Sequence, residues 1–242
     1  AGSIDFVVYG YMNRGIHEGE VGAGVYHYDG LAHTIDEEAF IPSKTSYEVL
    51  KAEMGKMLYL NEKNEFYLMM DDSLYRINLG SMSVKKVVEG LSTGSYCASE
   101  SNRYFAWVDS ANKYSSNTIK VMDLKSGKTF EVKKGDDQYL RPLGFIGEDF
   151  IYGQANAADV VSDAAGNTTF PMNGLIILDT SDQSELKTYT PSGGYVEKIS
   201  VDGYTVTIDL IVQNNGVYAE IGQDTIMNRE ADSKQKIALD TS

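Results

Sequence analysis

Cationic residues are scarce in this sequence, and their scarcity excludes several classes of function. The 242 residues carry 21 Lys and Arg against 35 Asp and Glu, which gives a net charge of −14 at pH 7 and a pI near 4.6. A surface of this sign repels nucleic-acid phosphates and anionic lipid headgroups. We therefore expect no nucleic-acid partner, and we interpret the charge as an aid to solubility.

Cysteine is nearly absent as well. The single residue, Cys97, excludes an intrachain disulfide framework and a cysteine-rich zinc site. Because free cysteine is among the most buried residue types, we interpret Cys97 as a small core residue rather than a nucleophile. No motif indicates a cofactor.

Long apolar runs are also missing. No segment approaches the ~20 residues that a membrane helix needs, so we expect no direct membrane insertion. No signal peptide precedes the first predicted strand, and the chain begins at Ala1 rather than Met. These features suggest a piece of a longer, processed parent protein, which could itself be membrane-anchored.

β-strand patterns are abundant. With 42% apolar residues and 23 glycines, the composition is typical of a packed, turn-rich domain. Segment 117–133 contains a complete hairpin: β-forming residues around Ile119 and Val121, turn residues from Asp123 to Gly127, and β-forming residues again over 129–132.

The same plan recurs along the chain and predicts an all-β fold with one short helix. A capping-box pattern at Thr45 and Glu48 places that helix near 45–54, before Gly55. The predicted strands are 4–12, 25–29, 32–35, 57–60, 65–70, 73–78, 82–88, 96–99, 104–109, 118–123, 129–133, 142–146, 150–154, 174–179, 185–190, 196–201, 204–212 and 217–221.

A landmark repeats in this pattern: an alternating strand that ends in an acidic or amide residue. The four landmark residues, separated by 49, 45 and 56 residues, are Asp29, Asn78, Asp123 and Asp179. A period near ~45 with four strands per unit is typical of β-propeller blades. Segment 121–128, a strand ending in Asp before a Gly-Lys turn, resembles the closing hairpin of TolB-like and WD40-like β-propeller blades. This resemblance covers 56–190 and implies the fold, not the function.

The strands group as three, four, four, four and three, which predicts a single β-propeller-type domain over 1–227. We expect this domain to contain about five blade units, of which the first and the last are incomplete. Residues 228–242 are predicted to be a charged tail or linker. The predicted blade units are 4–41, 56–91, 95–134, 139–190 and 195–227. A pair of β-sandwiches is the alternative fold. The regular Gly-His and Trp-Asp pairs of an authentic WD40 domain are missing.

Two short segments carry a second resemblance. Residues 195–199 and 223–228 are similar to uncharacterised extracytoplasmic segments of membrane-anchored proteins of anaerobic Gram-positive bacteria. The resemblance implies an extracytoplasmic location, at the cell surface or secreted, and no known activity.

Two motifs are typical of a catalytic or a metal site, but we assign neither function to them. Residues 90–94 match G-x-S-x-G, but a strand follows instead of the required helix, so we predict a turn between blades. His17, His27 and His33 lie close enough in sequence to suggest a metal site with Glu18 or Glu20. No i,i+2 or i,i+4 spacing puts two of these imidazoles on one face, so we assign no metal.

Other patterns point to surface features. Residues 162–170 resemble the Asp-box turn of sialidase-like propellers, but the Asp-to-Gly spacing is one residue too long, and we predict a polar hairpin insertion. Acidic pairs at 37–38, 71–72 and 136–137 are assigned to turns. The seventeen tyrosines raise a carbohydrate-binding hypothesis, because aromatic faces stack on sugar rings.

Two loops, 13–20 and 155–172, are longer than a propeller needs, and functional residues concentrate on such loops. We expect them to form a partner-binding surface for a protein or glycan. The residues singled out there are Arg14, His17, Glu18, Asp159 and Asp163. The sequence therefore predicts a non-catalytic binding or scaffold module of an exported or surface-anchored bacterial protein. The alternatives are a hydrolase or lyase with acidic residues in a central channel, a carbohydrate-binding module using exposed tyrosines, and a structural spacer.

Overall fold

The computed structural model of the protein describes residues 2–53, 56–108 and 110–227. Of these residues, 57% lie in strands and 4% in helices, which agrees with the predicted all-β class with a short helix. Within the described ranges, no helix has both the length and the apolar character that crossing a bilayer requires. The predicted tail 228–242, Gly55 and Asp109 lie outside the described residues.

The chain divides into two compact units. The first comprises residues 2–91 with 124–126, and the second comprises 92–123 with 127–227. The first unit contains a three-stranded and a four-stranded sheet, and the second contains two four-stranded sheets, a three-stranded sheet and a small hairpin. The single domain over 1–227 stays a prediction.

The first sheet is antiparallel, with its strands in chain order. Its strands are β1 (Ile4–Tyr11), β2 (Val21–Asp29) and β3 (Thr34–Pro42). The prediction that the third strand stops at Ile35 and that Glu37 and Glu38 occupy a turn is wrong, because both residues lie within β3. The first five residues of β3 lack fully buried side chains, so no apolar alternation marks them as a strand, and pairing with β2 through the backbone holds them in the sheet.

The second sheet follows the helix and is also antiparallel. Its elements are α1 (Tyr47–Glu53), β4 (Leu58–Leu60), β5 (Glu65–Met70), β6 (Ser73–Asn78) and β7 (Ser83–Val88). Leu50 of α1 is fully buried against both sheets of this unit. The Thr45 hydroxyl donates to Asp71 Oδ1 at 3.1 Å, so Thr45 fixes the loop before α1 rather than forming the predicted capping box.

The second unit continues the pattern with three further antiparallel sheets. The third sheet consists of β8 (Tyr96–Ala98), β9 (Tyr104–Val108), β10 (Thr118–Asp123) and β11 (Lys128–Lys133). The fourth consists of β12 (Gln138–Ile146), β13 (Asp149–Asn156), β16 (Gly174–Leu178) and β17 (Glu185–Tyr189). The fifth consists of β18 (Tyr195–Asp202), β19 (Thr205–Asn214) and β20 (Val217–Met227). Strands β12 and β20 are longer than predicted.

The fourth sheet has an apolar core on each face. Along β13, Phe150 and Tyr152 face a cluster shared with the third sheet, whereas Ile151 faces a cluster shared with the fifth. Strand β16 alternates in the same way, with Ile176 directed to the first cluster and Ile177 to the second. A strand buried on both faces reads as a continuous apolar run, which is why β16 was recognisable in the sequence.

The last strand of two of the four-stranded sheets is charged and exposed. Strand β7 carries Lys85 and Lys86, and β17 carries Glu185 and Lys187, all outside the core. Charged side chains on an edge strand discourage pairing with another chain.

The landmark residues have a structural role in the turns that follow them. Asp29, Asn78 and Asp179 each accept a backbone N–H two or three residues later through Oδ1. The donors are Leu31 N at 2.7 Å, Ser81 N at 2.9 Å and Ser181 N at 2.7 Å. These bonds are Asx-type turns, in which the side chain imitates a backbone turn.

The same turns share a left-handed residue four positions after each landmark. Its φ is 56° at His33, 53° at Met82, 76° at Gly127 and 66° at Gln183. The repeat seen in the sequence is therefore a repeated hairpin geometry, of which one copy uses the glycine that this conformation favours.

Candidate functional site

Loop 13–20 in the first unit joins β1 to β2 and is closed at its base by the backbone. Met12 N donates to Glu20 O at 2.7 Å, and Gly19 N donates to Met12 O at 2.8 Å. The ring of His17 folds back onto the sheet and stacks on Phe40, with ring centroids 3.7 Å apart. Arg14 and Glu18, the other predicted partner-binding residues of this loop, are exposed.

Carboxylates hold the half-buried His17 in place. Its Nε2 lies 2.9 Å from Glu37 Oε1, and its Nδ1 lies 3.5 Å from Glu20 Oε1. The hydrogen bond to Glu37, with its charge and that of Glu20, raises the pKa of His17 above the ordinary value. Because the two carboxylates contact opposite nitrogens of the ring, they do not converge on one ion, and Glu18 takes no part.

The three histidines do not come together. His17 contacts Glu37, His27 Nδ1 lies 2.6 Å from Asp5 Oδ1, and His33 Nδ1 lies 3.0 Å from the Tyr28 hydroxyl. Each imidazole therefore has its own partner, and the three do not converge on one shared metal site.

One of these histidines belongs to a group that sequence reasoning missed. Asp5 on β1, His27 on β2 and Glu38 on β3 bring one potential metal-ligand atom each to within 4.8 Å of one another. The sequence analysis considered His27 as a possible metal ligand, placed Glu38 in a turn as part of the acidic pair 37–38, and did not single out Asp5. Only the register of the three strands brings these residues together, and no local spacing in the sequence shows that register.

In the second unit, the predicted polar hairpin insertion is confirmed. A 3-10 turn, Ala157–Asp159, leads into β14 (Val161–Ser162), which pairs with β15 (Thr168–Thr169). Asp163 closes this hairpin, because its Oδ1 accepts Asn167 N at 2.8 Å. Hydrogen bonds from the side chain and backbone of Asn167 lower the pKa of the Asp163 carboxyl. Asp159 Oδ2 accepts Asn156 Nδ2 at 2.8 Å.

These bonds give both acidic residues of the insertion a local structural role. Loops 13–20 and 155–172 belong to different units, and their joint binding surface stays a prediction.

A pocket of about 490 Å³ in the second unit is bordered by β8, β12 and β18, the first strands of three successive sheets. Most of its lining residues are small or apolar, with two carboxylates, but the surface that they expose to the pocket is mostly polar. The lining residues are Cys97, Ala98, Glu100, Leu143, Gly144, Phe145, Gly147, Ile199, Val201, Asp202 and Gly203. Burial raises the pKa of the Cys97 thiol, so this cysteine remains protonated and packs against the core as expected.

The G-x-S-x-G segment forms a turn that leads directly into β8, as predicted. Ser95 N donates to Ser92 O at 2.8 Å, and Ser92 N donates to Ser95 Oγ at 2.9 Å. Because β8 rather than a helix follows, Ser92 does not sit on a nucleophile elbow.

Arg141 is more desolvated than Arg103, the other arginine among the described residues of this unit. Its guanidinium carbon lies 5.2 Å from the Tyr114 ring centroid and 5.5 Å from that of Phe170. Burial lowers the pKa of Arg141. The sequence marked it only as one of several scattered arginines, since the rings that enclose it come from two other segments.

No protein-family model matches the sequence. No curated protein matches it either. Among solved structures, the chain is similar to a hydrazine synthase chain of Kuenenia stuttgartiensis, with 10% identity and a TM-score of 0.41 over 88% of this chain and 59% of that one. The chain therefore spans about three fifths of that protein's length.

Two further solved structures are similar at the same level. A conserved lipoprotein from Clostridium novyi NT shows 13% identity and a TM-score of 0.41, over 55% of this chain and 84% of that one. The β-propeller domain of the Trilobed protease from Pyrococcus furiosus shows 12% identity and a TM-score of 0.37, over 90% of this chain and 68% of that one. No activity is carried over from similarity at this level.

Proposed function

We propose that this chain is a non-catalytic binding or scaffold module with a β-propeller-type arrangement of about five blade units, and that its ligand occupies the pocket bordered by β8, β12 and β18. The pocket is the observation that carries the proposal. Its volume of about 490 Å³ lies in the range of small-molecule and side-chain binding sites.

The chemistry of the lining favours binding over catalysis. Glycines and small side chains let a ligand approach the backbone, while Glu100 and Asp202 stand exposed at the rim. General acid–base catalysis needs groups within hydrogen-bond reach of a reacting atom and pKa values suited to the task. The partly buried Cys97 thiol, with its raised pKa, is a poor nucleophile.

The arrangement of strands supports the blade interpretation. Strand β12 contacts both β8 and β18, so the first strands of successive sheets are neighbours within the second unit. The fourth sheet packs on the third with one face and on the fifth with the other. Neighbouring first strands and face-to-face sheets are how propeller blades pack around an axis. The parent protein, in this proposal, is exported or surface-anchored, and its partner is a protein or a glycan.

Filling the pocket tests the proposal. Ligand-observed NMR with a panel of short peptides and oligosaccharides identifies a binder of the wild-type protein. Ala98→Leu and Val201→Phe each narrow the pocket from a different wall, and we expect either change to abolish the saturable signal. Leu186→Phe, at an exposed position on β17, is the matched control and leaves binding unchanged. Binding that persists in both filled variants would overturn the proposal.

The same panel separates binding from the enzymatic alternative, a hydrolase or lyase using acidic residues. The enzymatic alternative would be favoured if the protein converts a probe chemically and this conversion is lost in Glu100→Gln and Asp202→Asn. The conversion should then be retained in Glu185→Gln. Saturable binding without conversion supports the binding module.

A carbohydrate-binding surface is a second candidate, favoured by one observation in the first unit. Of the seventeen tyrosines, all described, only Tyr9, Tyr11 and Tyr47 are exposed. Tyr9 and Tyr11 are two residues apart on the edge strand β1 and share one of its faces, whereas the ring of Tyr47 lies against Gly10 on the other face. Such rings can stack on sugars. Oligosaccharide binding that is lost in Tyr11→Ala and retained in the pocket-filling variants would place the ligand there instead.

A further inference from the structure

We propose that Asp5, His27 and Glu38 form a binding site for one divalent transition-metal ion, Zn²⁺ or Mn²⁺, on the first sheet. The site belongs to the first unit and does not depend on the pocket described above. Each of the three adjacent strands supplies one ligand, and the three ligand atoms lie within 4.8 Å of one another.

Strand pairing fixes two of the ligands. Asp5 and His27 stand directly opposite each other on β1 and β2, and Asp5 Oδ1 lies 2.6 Å from His27 Nδ1. Because side chains alternate along a strand, His27 shares its face with Val25, which packs in the core of this unit, and Asp5 shares its face with Val7. The pair therefore lies at the border of the apolar core, where a charge is less well screened than on the open surface.

A β-bulge supplies the third ligand. Val25 pairs with Ala39 and Tyr26 pairs with Glu37, so Glu38 is an extra residue without a partner on β2. Bulges change the direction of side chains and interrupt the alternation of a strand. As a result, Glu37 reaches Tyr26 and His17, whereas Glu38 joins Asp5 and His27. In a regular strand continuing from Val25 and Ala39, Glu38 would pair with Tyr26 and Glu37 with His27, so the bulge decides which of the two carboxylates joins the His27 side.

Glu38 shows an unmet need for a positive partner. Its Oε2 is buried and has no hydrogen-bond partner in the part of the chain that the structure describes. Burial, together with the charge of Asp5, raises the pKa of the Glu38 carboxyl. A buried carboxylate oxygen without a partner is costly, and a bound cation would remove that cost.

The donor set indicates the class of ion. One imidazole nitrogen and two carboxylate oxygens suit Zn²⁺ or Mn²⁺ better than Mg²⁺ or Ca²⁺, which prefer oxygen alone. Ligand atoms on one such ion lie about 3 Å apart, so side-chain shifts of about 1 Å close the cluster. The side chains of Asp5 and His27 are 34% and 32% exposed, which leaves the remaining coordination positions open to water.

His17 offers an internal comparison. It also contacts two carboxylates, but Glu20 and Glu37 lie at opposite ring nitrogens. Removing this imidazole should leave metal binding intact, although His17, like His27, contacts carboxylates. His33, which contacts the Tyr28 hydroxyl, is a second matched control.

Isothermal titration calorimetry with ZnCl₂ and MnCl₂, on chelator-treated full chain, tests the proposal. We expect one site per chain in the wild type. His27→Ala and Glu38→Gln should weaken binding by about a hundredfold, since loss of even an outer-shell partner costs up to that much. His17→Ala and His33→Ala should keep the wild-type affinity.

Two outcomes would overturn the proposal: equal affinities of the wild type and His27→Ala, or loss of binding in His33→Ala. Tighter binding of CaCl₂ than of ZnCl₂ would overturn the assigned class of ion. Glu38→Gln keeps the size of the side chain, and its circular dichroism spectrum checks that the fold is retained. Paramagnetic broadening by Mn²⁺ supplies an independent readout, because only resonances of β1, β2 and β3 near the three ligands should broaden.

Discussion

Glu37 and Glu38 are neighbours in the chain with separate environments. Glu37 accepts a hydrogen bond from the Tyr26 hydroxyl at 3.0 Å and contacts His17, while Glu38 lies with Asp5 and His27. The pair was assigned to a turn from the sequence, because the predicted strand ended at Ile35. The identity of each residue was visible, but the bulge that decides which of the two joins Asp5 and His27 was not.

The contact between His17 and Glu37 makes loop 13–20 sensitive to pH. The folded-state pKa of His17 is raised above its value in the open loop, chiefly by the hydrogen bond to Glu37. The stabilisation is therefore fully present below the ordinary pKa and is lost as the pH rises through the raised one. We expect amide exchange in loop 13–20, corrected for intrinsic rates, to become faster as the pH rises from the ordinary histidine pKa of about 6.5 through the raised one.

Glu37→Gln is the diagnostic variant for this prediction, since it keeps the side-chain size and removes the charge. In this variant the loop amides should lose their protection from exchange at a lower pH than in the wild type. His33→Ala should leave the pH of this transition unchanged. A pH-independent exchange rate in the wild type would show that stacking on Phe40 alone holds the loop.

At the scale of elements, the left-handed residues in the hairpins after the landmark residues allow a direct test of backbone strain. Met82 adopts a φ of 53°, and the residue is 59% exposed. Gly127 adopts a φ of 76°, and no atom lies within 4 Å of the position that a Cβ would take. An L-residue in this region is strained by about 1–2 kcal/mol, whereas glycine is not.

We expect Met82→Gly to raise the free energy of unfolding by up to about 1 kcal/mol, and Gly127→Ala to lower it by about 1 kcal/mol. Urea denaturation at constant m-value measures both changes. Met82→Ala is the control, because it removes the side chain and keeps the strained backbone. A destabilised Met82→Gly, or an unchanged Gly127→Ala, would contradict the shared hairpin geometry.

The elements that the sequence predicted well are those with a local chemical marker. Strands β5, β6 and β10 match their predicted bounds, because alternating apolar residues end in an Asx residue or a tight turn. Strands β3 and β20 are longer than predicted, since their exposed halves lack apolar alternation and depend on pairing with a neighbouring strand. The cluster of Asp5, His27 and Glu38 could not be predicted for the same reason, because strand register is a long-range property.

At the scale of the whole molecule, excess negative charge opposes folding. The 35 acidic residues outnumber the 21 basic ones, so the carboxylates cannot all pair with a cation of the chain. Local networks such as Arg103, which contacts Asp123 at 3.0 Å and Glu148 at 3.1 Å, compensate at a few points. Net charge far from zero keeps a protein soluble and destabilises its compact state through self-repulsion.

Salt should therefore stabilise this protein. Raising the ionic strength from about 0.01 M to about 0.1 M shortens the Debye length from about 30 Å to about 10 Å, which screens repulsion between distant carboxylates more than attraction within close pairs. We expect the unfolding temperature to rise over this range, measured at pH 7 with a chelator present. NaCl and choline chloride should act alike, because screening does not depend on the identity of the monovalent cation. A lower unfolding temperature in salt would mean that ion pairs such as Arg103 with Asp123 outweigh the repulsion.

Stabilisation by Zn²⁺ at constant ionic strength, absent in Glu38→Gln, would separate occupancy of the proposed metal site from this general effect.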